Sequence, residues 1–131
     1  MATTPSFASS PIVSGITTGT TASTTPFGTP SAPATVYTAP AAGARIDEIT
    51  IQGLGTTSAN QVILYVHNGT TYWPIKTVMT TATTASSSVQ AAQYTVTFNN
   101  LVLTNASFSI RAALFAADTS GYMVTAFGGS F

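Results

Sequence analysis

One imidazole, His67, and three carboxylates, Asp47, Glu48 and Asp118, are all the side chains here that titrate near neutral or mildly acid pH. General acid–base work needs several such groups held in fixed positions. A Ser-His-Asp arrangement would have to bring His67 to Asp47 or Asp118, and no nucleophile-elbow pattern accompanies them. A metal centre would need His67 to converge with at least two distant carboxylates. Asp47 and Glu48 are adjacent, so on a strand they point to opposite faces and do not flank a glycosidic bond. "GLGTTS" at 53–58 lacks the lysine and the third glycine of a phosphate-binding loop. The expectation is a protein with no catalytic residues, no metal ligands and no cofactor.

The rest of the composition points the same way. Charged residues are 5% of the chain, against about 25% in an average soluble domain. Three Lys and Arg balance three acids. So few cations cannot displace counterions from nucleic acid or hold an anionic membrane surface. Thr, Ser and Ala keep the surface wet instead, without self-repulsion, which suits close association with copies or with a partner. There is no cysteine, so no disulfide or thiol chemistry is expected. No secretory signal is visible at the start, and no apolar run is long enough to cross a bilayer. A soluble protein made in a cytoplasm is expected.

The most legible stretch is "YVHNGTTYWPIK" at 65–76. Asn68-Gly69 predicts a two-residue type I′ turn, which demands positive φ at both positions. That turn sets Thr71 opposite Val66, Tyr72 opposite Tyr65, Trp73 opposite Leu64 and Ile75 opposite Val62. Val62, Leu64, Val66, Trp73 and Ile75 then form a core face. Ile63, Tyr65, His67, Tyr72 and Lys76 form the other. Pro74 marks an edge strand, since it cannot donate into a ladder. Tyr65, His67 and Tyr72 are candidate contact residues for a protein, or for a sugar stacked on a flat aromatic platform.

Residues 1–33 are rich in Thr, Pro and Ala and read as an extended arm. Phe7, Ile12, Val13, Ile16 and Phe27 punctuate it and are candidate anchors onto the body or onto a neighbouring subunit, which would make them partner-binding residues. Residues 34–131 alternate short apolar runs with turn residues, the pattern of an all-β sandwich of roughly seven or eight strands, jelly-roll-like or related. Ile49 and Ile51 alternate while Ile46 is out of phase, which predicts a bulge near Asp47-Glu48. The run at 93–103 alternates Tyr94, Val96 and Phe98 and is expected to turn at Asn99-Asn100. Asp118 to Gly121 reads as a turn.

Several elements taken together carry a resemblance. "RIDEITIQGLGTTSANQVILYVHNGTTYWPIKTV" and "FSIRAALFAADTSGYMVTAFGGSF" resemble small structural proteins of tailed bacteriophages. The shared features are the strand opening Arg45-Ile46-Asp47, the hairpin from Leu64 to Thr70, Ser109 to Ala113, and the tail Ala126 to Gly129. The resemblance spans 34–131 and leaves the arm out. It implies a capsid decoration, or cement, protein: a homo-oligomer, with a trimer as the candidate, on the outer face of a major capsid protein lattice in the virion. A neck, tail or fibre component is the competing role, and a carbohydrate-binding sandwich is the competing class.

Overall fold

A computed structural model describes residues 10–18, 23, 25–31 and 33–131, with backbone alone for 16–18. Eight strands follow one another: β1 (Ser10–Thr18), β2 (Ala34–Thr38), β3 (Ala44–Gly53), β4 (Asn60–His67), β5 (Tyr72–Thr80), β6 (Gln93–Leu103), β7 (Ser109–Leu114) and β8 (Tyr122–Ser130). They form two antiparallel sheets, ordered β1-β8-β3-β6 and β2-β7-β4-β5. The all-β sandwich is as the sequence predicts, and the described residues contain no helix.

The inner faces follow from strand periodicity. Val62, Leu64 and Val66 of β4 and Ile110, Ala112 and Leu114 of β7 point one way. Ile46, Ile49 and Ile51 of β3, with Val124 and Ala126 of β8, meet them from the other sheet. Ile46 and Ile49 are an odd number apart, yet both are fully buried. The register of β3 slips between Ile46 and Glu48 against both of its neighbours, and this restores the phase. The bulge that the sequence predicts is therefore real, and Asp47 is the residue set outside the ladder.

Three details differ from expectation. First, the expected arm contributes β1, an edge strand paired along its length with β8, and Ile12 enters the core. Pro11 is tolerated there because the outer side of an edge strand needs no partner. Second, residues 93–103 form one strand with no turn at Asn99-Asn100; Asn100 takes φ 61° and the irregularity stays within the ladder. Third, the β4–β5 loop is not type I′. Asn68 does not have positive φ, whereas Gly69 does at 97°. The Asn68 Oδ1 accepts from the Thr70 and Thr71 amides at 3.0 and 2.7 Å. This side-chain turn lengthens the loop to four residues, so His67 pairs with Tyr72 and Val66 with Trp73.

That change moves the register by two positions, which preserves the faces. A bulge at Ile75, opposite Leu64 and Tyr65, then shifts the phase beyond it. Val78 packs on the core, and Met79 pairs with Gln61 on the outer side. Trp73, expected to be buried with Leu64, lies at the rim of an edge strand and is 46% exposed. Pro74 is on an edge strand as predicted, opposite Tyr65.

Backbone comes close to backbone where β8 crosses the β3 bulge. Gly128 pairs with Ile46 on one side and Ile12 on the other. A Cβ added there would fall on the Arg45 carbonyl oxygen and within 2.9 Å of its carbon. Backbone cannot yield as a flexible side chain can. Gly128→Ala should therefore destabilise by at least about 1–3 kcal/mol, read as a lower urea midpoint. An unchanged midpoint would show that β3 and β8 are not this close.

Candidate functional site

The outer face of the β2-β7-β4-β5 sheet carries the candidate residues. Along β4 the outward row is Gln61, Ile63, Tyr65 and His67; along β7 it is Ser109, Arg111 and Ala113, with Phe115 just beyond. A surface row of this kind is ordinarily wet, yet Ile63 and Tyr65 are fully buried and Ala113 nearly so. A strap made of Ser23 and residues 25–31 accounts for it. The Ser23 amide donates to the Leu114 carbonyl at 2.9 Å. The Tyr65 hydroxyl donates to the Pro26 carbonyl. Phe27 packs against Phe115 with ring centroids 6.4 Å apart. The strap divides the face into two parts.

At one part His67 stacks on Tyr72, 4.0 Å between centroids and 20° between planes. Tyr72 meets the edge of Tyr65 at 5.9 Å. The Arg111 Nε donates to the Ser109 Oγ at 2.9 Å. Burial first, and then the Arg111 charge, push the His67 pKa below its ordinary 6.5. Burial pushes the Tyr65 hydroxyl up to about 12. The three residues expected to form an open platform do come together, but they pack on one another. Tyr65 is 0% and His67 9% exposed, so the flat stacking surface is corrected: the strap covers one ring, and Tyr72 covers the imidazole.

At the other part, Ala59, Asn60, Gln61, Met79, Phe115 and Ala116 line a cavity of about 200 Å³. Met79 and Phe115 stand partly in solvent around it. The sequence reading missed both. Phe115 continues the alternation of Ile110, Ala112 and Leu114 onto the outer face and was legible from it. Met79 was not, because its direction depends on the Ile75 bulge.

The expected arm anchors have separate fates. Ile12 is spent on this chain's own core and is not available to a partner, since β1 is part of the sandwich. Val13 is 72% exposed. Phe27 is half-exposed above Phe115. Phe7 and the side chain of Ile16 lie outside the described residues.

The titratable groups do not converge. Asp118 accepts from the Ser58, Ser120 and Gly121 amides, which ties the β7–β8 turn to the loop before β4. His67 is at the far end of β4, a rise of about 23 Å away from Asn60. Asp47 pairs with Arg45 at 2.8 Å in the other sheet. Among the described residues no three His, Cys, Asp or Glu group as metal ligands would. Compared with family models, with curated proteins and with solved structures, the chain has no match.

Two measurements test this geometry. Tyr65→Phe removes the donor to the part-buried Pro26 carbonyl and should cost about 1 kcal/mol. Tyr122→Phe should cost nothing, or stabilise, because the buried Tyr122 hydroxyl has no partner among the described residues. Equal losses in urea for both would contradict the strap contact. For His67, the unfolded chain takes up a proton more readily than the fold does. Its contribution to stability is thus fully present above pH 6.5 and is lost as pH falls from there through the folded-state pKa. Melting temperature should drop between pH 7 and pH 5, and His67→Gln should flatten that slope; an unaltered slope would mean His67 is not shielded.

Proposed function

We propose that this chain is a non-enzymatic structural protein that acts by adhesion, as a decoration protein on the outside of a virus head. It would join copies of itself to a lattice of the major capsid protein and resist head expansion through many weak contacts multiplied by valency. The observation that carries this reading is the surface. On a chain of zero net charge, Val13, Trp73 and Met79 stand in solvent, with Met79 66% exposed. Exposed large apolar side chains on a sparsely charged, net-neutral β surface are groups that a lattice contact can bury without desolvating charge.

Connectivity supports the same reading. β1 pairs with β8, β2 with β7, β3 with β6 and β4 with β5. These are the pairs of one long hairpin rolled on itself, which we read as a jelly roll, an architecture used in capsids. The resemblance to phage structural proteins adds the location: the virion surface, in a particle assembled in a host cytoplasm.

A second reading rests on a different feature. An open cleft of about 610 Å³ beside β6 is lined by Thr81, Gln90, Gln93 and Tyr94, among others. Amides, hydroxyls and one phenol without charge suit a neutral sugar. That would make the chain a carbohydrate-binding module on a tail or fibre, with the sugar at Tyr94 instead of at Tyr65.

Sedimentation with purified heads separates the two. A decoration protein pellets with heads, and its binding holds between about 0.01 and 1 M salt, although the screening length falls from about 30 to 3 Å over that range. Loss of binding in high salt would contradict an apolar lattice contact. Failure to pellet, together with a glycan-array signal abolished by Tyr94→Ala, would transfer the assignment to the second reading.

A further inference from the structure

We propose that the cavity between Phe115, Met79 and Gln61 is the seat of Phe7 from a second copy of the chain. The proposal deepens the self-association in the reading above and rests on that part of it alone.

Size and chemistry come first. The cavity holds about 200 Å³, and an apolar cavity of about 150 Å³ takes a benzene molecule. One phenyl ring with its methylene fits. Asn60 and Gln61 are the polar walls; Gln61 is only partly buried, and the side chain of the buried Asn60 is already engaged. Its Nδ2 donates to the Ala116 carbonyl at 2.7 Å, and its Oδ1 accepts from the Gln61 and Ala116 amides at 2.8 and 3.0 Å. An occupant therefore needs no polar group to satisfy it. No charged residue lines the cavity. Residues 1–9, "MATTPSFAS", lie outside the described residues, carry no charged side chain and hold one aromatic, Phe7.

Reach decides which copy supplies the ring. Phe7 precedes Ser10 by three positions, and three extended residues span about 11 Å. Ser10 pairs with Ser130, which pairs with Ala44. The tight turn at 39–43 joins this end of β3 to Thr38, which pairs with Ser109, which pairs with His67. Ser10 thus stands at the His67 end of the sandwich. Asn60, Gln61 and Met79 stand at the other end, about 23 Å away along β4 and in the opposite sheet. A chain cannot place Phe7 in its own cavity, so the ring must come from a neighbour.

The absence of native cysteine makes the test clean. Full-length Ser6→Cys, which keeps the Phe7 ring, and Met79→Cys chains are mixed and oxidised, with Thr95→Cys on the other sheet as the control partner for Ser6→Cys. The expected result is a covalent pair from the first mixture, resolved on a non-reducing gel and mapped by mass spectrometry, and little from the control. Phe7→Ala should lower the sedimenting species toward monomer, leaving the melting curve of the body unchanged. Equal cross-linking of the control, or closure within one chain in the Ser6→Cys/Met79→Cys double variant, would overturn the proposal. An oligomer that gives no cross-link between positions 6 and 79 would remove this contact and leave self-association standing. A monomer at all concentrations would remove both.

Discussion

Ile46, Ile49, Ile51 and Val124 press from one sheet against Val62, Leu64, Ile110 and Leu114 of the other, and all eight are essentially out of water. Fully burying such a side chain is worth about 1.5–3 kcal/mol. Little else is available to hold the sheets together. The Arg45–Asp47 pair is half-exposed on one strand, and surface pairs of that kind contribute roughly 0–1 kcal/mol. The sandwich therefore depends on keeping every strand in phase with this layer. The Asp47 bulge, the Ile75 bulge and the close approach at Gly128 serve that requirement.

The two sheets are also tied along their edges. The Ser14 Oγ donates to the Val36 carbonyl at 2.9 Å, joining β1 to β2. On the opposite side the Thr81 amide donates to the Tyr94 hydroxyl at 2.9 Å, joining the end of β5 to β6. The strap over Tyr65 adds a thin third layer. It turns part of a face that would otherwise be wet into a small second core, and Phe27, Phe115 and Met79 remain exposed beyond it. The segment that reads as an arm is thus two structural parts, β1 and the strap. Removing residues 1–33 would take both from the body, whereas removing 1–9 would take neither.

Much of this was legible where the signal is local. Alternation gave β3, β4 and the first half of β6, and the odd spacing of Ile46 and Ile49 gave the bulge. The Asp118 turn followed from its residue types. What was not legible depends on contacts distant in sequence. Pro26 with Tyr65 and Phe27 with Phe115 are such contacts, and a Thr/Pro/Gly segment has no period to announce them. The hairpin failed for a local reason instead. Asn68 and Gly69 favour a tight turn by backbone preference, but the Asn68 side chain captured the next two free amides and the loop opened to four residues. Trp73 followed, since its burial had been argued from that turn.

The polarity of the proposed contact has its own consequence. The donor, Phe7, leaves from the His67 end of one copy, and the acceptor cavity is at the Asn60 end of the next. A contact between unlike surfaces propagates unless symmetry closes it. Two copies lying antiparallel can exchange rings reciprocally. Three can close head to tail as a ring. Without closure the same contact would build a filament, and an uncharged surface supplies no repulsion to stop it. Geometry must then limit growth where charge cannot. The three-residue spacing between Phe7 and Ser10 bears on this. A ring held within about 11 Å of Ser10 allows a neighbour few orientations, so a single rotation relates successive copies, and whether that rotation closes decides between ring and filament.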